Sequence, residues 1–360
     1  MMRSKGKEDA YFAASNSKNG FFSYYSQCFD DARVGRLYAI KGGPGTGKSR
    51  FMRDVAEAGE RVGWHAEYIY CSSDPDSLDG VIMTGERTCI ALLDATAPHV
   101  YEPSRPGVRE EIVNLGAFWH AEALAEKRDE VDALNAQKSA AYRLAYRYLA
   151  GAGEMLSVRE ELIEPFVRRE AIIEYAEKLL RDIPMGSGYS VRPSLMRSIG
   201  MQGSVGFDSL FMQASRRVLI TDCRGIARYL MGAIGEIAVK RRQAIRVSHD
   251  PIDPDAVDAI LFCNCGVVFA VGSEEELAPY DKAVGMRRFL ETWRMRDVRE
   301  ELNHAERMRR AMLDGAVESL ARVREAHFRL EEIYISAMDF DAKEKFTKSF
   351  CEKLFDLQNF

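Results

Sequence analysis

A glycine-rich loop, placed between a short apolar run and an amphipathic segment, restricts the fold of this chain more than any other feature. The stretch RLYAIKGGPGTGKSRFM, residues 36–52, holds the pattern GxxxxGKS at 42–49. The apolar letters before the loop are typical of a buried strand, and apolar residues recur at helical spacing over 51–56. A strand, a glycine loop and a helix in this order characterise phosphate-binding loops in α/β domains. The sequence therefore predicts an α/β fold with a phosphate site at 42–49.

The predicted site assigns a role to each part of the loop. Glycines let successive N–H groups point at phosphate oxygens, and the start of the helix adds partial positive charge. Lys48 is expected to contact the β and γ phosphates as a catalytic residue, and the Ser49 hydroxyl to ligate Mg²⁺. The expected nucleotide-binding residues are Gly42, Gly43, Pro44, Gly45, Thr46, Gly47, Lys48, Ser49 and Arg50.

A second Mg²⁺ ligand is predicted at the end of TCIALLD, residues 88–94. A buried strand that ends in Asp94 would place this carboxylate at the carboxyl edge of the sheet, beside the loop. Asp94 is therefore predicted both as a metal ligand and as a catalytic residue. Because no Glu follows Asp94, His99 becomes a candidate for γ-phosphate sensing or proton transfer, the alternative being an ordinary loop residue.

The polar stretch YCSSDPDSLDG, residues 70–80, follows another predicted strand. Asp74 would lie at the same sheet edge as the nucleotide, where it could position an attacking water or a phosphate acceptor. In the alternative interpretation, Asp74 and Asp76 only form a turn and cap a helix beginning near Ser77.

The sequence pattern of residues 73–82 occurs a second time in the chain. SDPDSLDGVI at 73–82 nearly recurs as IDPDAVDAIL at 252–261, an offset of 179 residues that also aligns the neighbouring strand and helix patterns. In the second copy TDCRGIAR, 221–228, replaces GGPGTGKS, so that Ala227 stands in the place of the loop lysine. The predicted outcome is a duplicated domain with one functional nucleotide site and one that has lost it.

The fold class predicted from these patterns is α/β, with two tandem P-loop NTPase-like three-layer α/β/α cores that form an internal repeat. Each core is expected to have a mostly parallel sheet and a long helical hairpin insertion or extension. The predicted domains are 1–185, with its helical insertion at about 117–183, and 186–360, a degenerate repeat with a C-terminal helical extension. Gly151-Ala152-Gly153 is expected to break the first long helix.

Composition narrows the classes of partner. A net charge of −5 argues against nucleic acid, because binding of its phosphate backbone requires excess Lys and Arg. No apolar run is long enough for a membrane span, and charged residues occupy the N-terminus, so a cytoplasmic protein without a membrane partner is expected. The apolar stripe of the long helices indicates intramolecular core or, alternatively, a homodimer or protein-partner surface.

The segments KGGPGTGKS, YCSSDPDSLDG, DATAPH and NLGAFW, in this order and spacing, resemble a little-characterised family of bacterial predicted ATPases built from two tandem P-loop domains. The resemblance extends over nearly the whole chain. It implies ATP binding at 42–49 and Mg²⁺ at Ser49 and Asp94. The second half of such proteins often keeps a P-loop of its own, whereas this chain has TDCRGIAR.

The predicted function is Mg²⁺-dependent binding and hydrolysis of a nucleoside triphosphate, which the resemblance implies to be ATP; no guanine-reading N-K-x-D motif is present, and the sequence itself leaves ATP and GTP open. Two alternatives remain: a small-molecule or nucleotide kinase, and a non-enzymatic ATP-gated switch that acts on a protein partner. An arginine can also stabilise phosphoryl transfer. The candidates for this role lie in the second copy and are Arg216, Arg217, Arg224 and Arg228.

Overall fold

The computed structural model describes residues 2–5, 8–30, 32–97, 101–186 and 188–356. The strands in these ranges are β1 (Met2–Arg3), β2 (Asp9–Phe12), β3 (Ala14–Ser17), β4 (Gly20–Ser23), β5 (Arg36–Lys41), β6 (His65–Tyr70), β7 (Leu78–Thr84), β8 (Cys89–Asp94), β9 (Glu110–Asn114), β10 (Ser190–Pro193), β11 (Arg197–Gly200), β12 (Gly203–Phe207), β13 (Arg216–Thr221), β14 (Ala244–His249), β15 (Val257–Phe262), β16 (Val267–Val271) and β17 (Lys282–Gly285).

The α-helices in the same ranges are α1 (Tyr25–Cys28), α2 (Lys48–Arg61), α3 (Ala121–Ala125), α4 (Arg128–Ile163), α5 (Arg169–Leu179), α6 (Ser209–Met212), α7 (Ala227–Lys240), α8 (Arg299–Ser336) and α9 (Phe340–Asp356). Short 3-10 helices cover Leu115–Phe118, Glu164–Phe166 and Met286–Phe289. None of the helices in the described ranges is both long enough and apolar enough to span a membrane. The protein is thus a mixed α/β chain.

The chain divides into two compact units. Unit A contains Met1–Cys28 and Leu144–Glu318, and unit B contains Phe29–Arg143 and Ser319–Phe360. Both units are discontinuous in sequence, whereas the sequence pattern placed a single boundary at 185/186. The long helices cause this difference, because α4 and α8 each contribute one part of their length to each unit. As a result, α5 belongs to unit A and the C-terminal helix α9 belongs to unit B.

Within unit B, the strands lie in the order β6-β7-β8-β5-β9. Strand β5 is parallel to both β8 and β9, and β7 is antiparallel to both β6 and β8. Helix α2 packs against β6 and β7, and α9 packs against α2. The contact between α2 and α9 includes Phe51, whose ring lies 5.2 Å from that of Phe350. The loop at 42–47 therefore follows a strand inside the sheet that lies between β8 and the edge strand β9.

Within unit A, the main sheet has the order β10-β14-β15-β16-β13-β17. Its side chains alternate between two apolar clusters, as expected for strands buried on both faces. Val218 and Ile220 pack in a cluster with residues of α5 and α7, whereas Leu219 packs with Leu210 and Phe211 of α6. This alternation places α6 on the face of the sheet opposite α5 and α7.

The two units use the same strand arrangement. Strands β6, β7, β8, β5 and β9 match β14, β15, β16, β13 and β17 in order and in direction. Both sheets are mixed rather than mostly parallel, because β7 and β15 run against their neighbours. The helix predicted to begin near Ser77 is wrong, since strand β7 starts at Leu78 and is buried along most of its length.

The predicted break at Gly151–Gly153 is also wrong, because α4 continues without interruption from Arg128 to Ile163. These glycines are sites of close packing. A Cβ atom added at Gly151 would lie 3.2 Å from the Met312 sulfur, and one added at Gly153 would lie 2.6 Å from Lys18 Cβ. The gain in tertiary packing outweighs the low helix propensity of glycine at these positions.

Candidate phosphate-binding site

The loop 42–47 connects β5 to the first turn of α2 and has the backbone conformation that its glycines permit. Gly45 and Gly47 have φ angles of 70° and 75°, in the left-handed region that side chains with a Cβ rarely adopt. Thr46 is fully buried, and its hydroxyl donates a 2.9 Å hydrogen bond to the Gly43 carbonyl. The loop thus delivers Lys48 to the first position of α2, where the helix N-terminus favours an anion.

Lys48 and Asp94 lie together at this edge of the sheet. The Lys48 ammonium donates to the carbonyls of Gly42 and Gly43 at 3.0 and 2.7 Å, and it lies 3.6 Å from Asp94 Oδ2. Asp94 ends β8 in register with Ile40 of the parallel strand β5, so the strand pairing fixes its position beside the loop. The structure therefore brings together the predicted lysine and carboxylate.

Asp94 is a largely buried carboxylate with charges of both signs nearby. Burial raises the pKa of Asp94, and the nearby Asp79 carboxylate raises that pKa further, while Lys48 and hydrogen bonds from Thr96 oppose the shift. The Thr96 backbone N–H and hydroxyl both donate to Asp94 Oδ1. Asp79 is 4% exposed and was not among the predicted site residues.

The oxygen atoms near Lys48 have the chemistry that Mg²⁺ requires. The Ser49 hydroxyl accepts a 2.9 Å hydrogen bond from the Leu78 N–H, which holds it next to the start of β7. Hydroxyl and carboxylate oxygens are hard ligands of the kind that Mg²⁺ binds together with phosphate oxygens. Ser49 and Asp94 therefore fit the predicted metal, and Asp79 adds negative charge nearby.

Asp74 and Arg50 make local contacts. Asp74 accepts a 2.8 Å hydrogen bond from the Ser77 hydroxyl, and its carbonyl accepts the Ser77 N–H at 3.0 Å, which are the contacts of the turn between β6 and β7. The Arg50 side chain is 70% exposed and pairs with Asp54 one helical turn later. The predicted candidate His99 lies outside the described residues.

Sequence inspection missed the contribution of the C-terminal helices to this loop. A Cβ atom at Gly45 would lie 2.7 Å from the Glu331 carbonyl, and one at Gly43 would lie 2.9 Å from the Tyr334 ring. A Cβ atom at Gly47 would lie 3.5 Å from the Lys343 ammonium. Lys343 is 6% exposed, and burial lowers its pKa. No local sequence signal links these residues, which belong to α8 and α9, to the loop.

The corresponding loop of unit A, at 221–226, has its own carboxylate in contact with the backbone donors. Asp222 accepts hydrogen bonds from the N–H groups of Gly225 and Ala227, both at 2.7 Å. Arg224 adopts a left-handed conformation with φ of 63°. These N–H groups are the counterparts of those that a phosphate-binding loop offers to phosphate. The Asp222 carboxylate thus takes the hydrogen bonds that an anionic ligand would need.

The four candidate arginines of this unit occupy two different places. Arg216 and Arg217 begin β13, at the end of the strand opposite the loop. Arg224 donates to Asn303 Oδ1 at 3.2 Å. Arg228 pairs with Glu160 and with Asp253.

Comparison of the chain with protein-family models, with curated proteins and with solved structures finds no match.

Proposed function

We propose that unit B binds and hydrolyses a nucleoside triphosphate, with ATP preferred, in the presence of Mg²⁺ at residues 42–49. One observation carries this proposal: the Lys48 ammonium lies at the start of α2, 3.6 Å from a carboxylate that ends the adjacent parallel strand. A cation at a helix N-terminus, next to a hydroxyl and a carboxylate, is the arrangement with which P-loop proteins hold a nucleotide and its metal.

Each residue has a defined task in this proposal. The loop N–H groups bind phosphate oxygens, and Lys48 exchanges its bonds to the Gly42 and Gly43 carbonyls for bonds to the β and γ phosphates. Ser49 and Asp94 hold Mg²⁺, which when bound neutralises charge on the phosphates. Lys343 adds a further positive charge beside Gly47.

Unit A is, in this interpretation, a related domain without a nucleotide site of this kind. This interpretation is supported by the order and direction of five strands, which the two units share, and by the hydrogen bonds that Asp222 accepts from the loop N–H groups. The tandem P-loop architecture and the resemblance to bacterial predicted ATPases belong to the same proposal. A single nucleotide per chain is its direct consequence.

A nucleotide-gated switch is the second candidate function. The observation that favours it is the contact of Gly43 and Gly45 with Tyr334 and with the Glu331 backbone, both in α8. A triphosphate bound to the loop would contact α8 and displace it. In that case nucleotide binding would move α8, and turnover would be slow.

The test is phosphate release from Mg-ATP, with Mg-ATP binding measured in parallel, for the wild type, Lys48→Ala and Asp94→Asn. The matched control is Lys127→Ala, which removes an exposed lysine from the same unit. We expect the control to retain release, and the two site variants to lose it by about 100-fold or more. Tight binding without release would favour the switch, and absence of binding by the wild type would refute both functions.

A further inference from the structure

A cavity in unit A is lined by an unusual concentration of arginine. It encloses about 670 Å³ and lies between the loop that follows β13 and the helices α4 and α8. This volume is within the range of small-molecule sites. Five guanidinium groups face two carboxylates and one amide in its wall. The lining residues are Arg159, Asp222, Arg224, Asn303, Glu306, Arg307, Arg309 and Arg310.

The cavity wall formed by α8 follows from helical geometry. Asn303, Glu306, Arg307 and Arg310 are spaced at i, i+3, i+4 and i+7, so they project from one face of the helix. Glu306 is already shared by three arginines, because it accepts hydrogen bonds from Arg309 and Arg310 and lies 3.7 Å from Arg159. The two carboxylates of the wall, Asp222 and Glu306, therefore leave part of the positive charge of the five arginines unbalanced.

Two arginines of the lining, Arg159 and the exposed Arg307, retain unused hydrogen-bonding capacity. The Nε–H of Arg159 is buried and has no hydrogen-bond partner among the described residues. Burial lowers the pKa of Arg159, as expected for a cation removed from water. Arg307 makes no ion pair or hydrogen bond with the described part of the chain. A buried donor without an acceptor is costly, so an anion in the cavity would be favoured.

Acidic groups on the other side of Arg159 offset this charge only in part, because they also bind other cations and backbone N–H groups. Asp253 is bound by Lys18 at 2.7 Å and by Arg228 at 3.3 Å, and Glu160 pairs with the same Arg228. Asp250 accepts the N–H groups of Ile252 and Asp253. These acids are engaged within unit A, and the excess of positive charge remains on the cavity side.

A second, smaller pocket continues from this cavity through Arg224. It measures about 240 Å³, and its wall combines the apolar side chains Leu290, Met295 and Leu302 with the arginines Arg224, Arg287 and Arg299. Arginine side chains are suited to bidentate recognition of phosphate, and an apolar pocket next to them accepts a nonpolar group. We propose that this pair of pockets binds a phosphorylated small organic molecule, independently of the loop at 42–49.

The experiment is calorimetric titration of Lys48→Ala with pyrophosphate and with phenyl phosphate. The Lys48 background removes the proposed nucleotide site, so the outcome does not depend on whether that site functions. Lys48→Met is used in place of Lys48→Ala if the alanine variant has a lower Tm than the wild type. We expect both probes to bind, and phenyl phosphate to bind more tightly than inorganic phosphate titrated in parallel, because its ring contacts the apolar side chains of the smaller pocket.

Arg307→Gln and Arg224→Gln should each weaken binding by about tenfold, the loss of roughly one charge-assisted hydrogen bond. The matched control, Arg322→Gln, removes an exposed arginine of α8 outside the cavity and should leave affinity unchanged. Absence of binding, or binding that both pocket variants leave intact, would overturn the proposal. A single-stranded oligonucleotide that bound more tightly than phenyl phosphate through the same arginines would also overturn it, in favour of a nucleic-acid surface.

Discussion

The carboxylate of Asp222 should stabilise unit A while weakening the affinity of its arginine-lined cavity for anions. Its two hydrogen bonds at 2.7 Å fix the start of α7, much as a capping residue does. Loss of such a cap costs about 0.5–2 kcal/mol, and solvent access to Asp222 keeps the cost in this range. We therefore expect Asp222→Ala to lower the free energy of unfolding by about 1.5 kcal/mol and Tm by about 3–6 °C.

The same substitution removes one of the two carboxylates from the cavity wall. Binding of pyrophosphate should consequently tighten, so that a less stable protein becomes a better anion binder. Thermal melts and titration calorimetry measure the two effects, with Asp314→Ala as a control for an exposed acid of α8. A variant as stable as the wild type, or one with weaker anion affinity, would refute this account of the loop.

Three further changes test other parts of the structure. Gly45→Ala should lower the free energy of unfolding by more than about 2 kcal/mol and abolish nucleotide binding, because it adds a clash with the Glu331 carbonyl to an unfavourable φ. Gly63→Ala is the control, because Gly63 has a positive φ but open space around it; it should lower the free energy of unfolding by about 1 kcal/mol in the same melts. Lys343→Met should leave Tm unchanged or raise it, because the substitution removes a buried charge. The same variant should release phosphate about tenfold more slowly, and an unchanged rate of release would exclude Lys343 from the nucleotide site. Glu306→Gln should destabilise the protein by about 1–2 kcal/mol at pH 7, after allowance for solvent screening. Hydrogen bonds from arginines lower the pKa of Glu306 to about 2, below its ordinary value of 4.5. The stabilising effect of this carboxylate is therefore fully present above pH 4.5 and is lost as the pH falls toward 2. A stability difference between Glu306→Gln and the wild type that did not shrink over this range would contradict the assigned role of Glu306.

Local sequence rules were sufficient for the parts of the site that lie close together along the chain. Glycine at 45 and 47, lysine at 48 and the carboxylate that ends β8 are fixed by loop chemistry and by parallel strand pairing. Such features need only one strand, one turn and one helix. The two sheets share one order of five strands, whereas a tandem P-loop repeat stays a prediction.

Long-range packing determines the parts of the fold and of the site that the sequence pattern could not predict. Lys343 and Glu331 belong to helices that follow the second sheet, yet they pack in unit B beside the loop, and no periodic pattern encodes that pairing. The uninterrupted helix through Gly151 had the same cause, since its contact with Met312 offsets the local propensity of glycine.

The most direct test of the central claim is amide hydrogen exchange with and without Mg-ATP, followed in peptides that cover 42–49 and 221–228 of the same sample. The account predicts that Mg-ATP slows exchange at 42–49 in the wild type but not in Lys48→Ala, because phosphate oxygens then engage the loop N–H groups. The loop at 221–228, whose donors Asp222 already holds, reports separately on the arginine-lined cavity, and any change in its exchange should persist in Lys48→Ala. Unchanged exchange at 42–49 at saturating Mg-ATP would contradict the assignment of the nucleotide site.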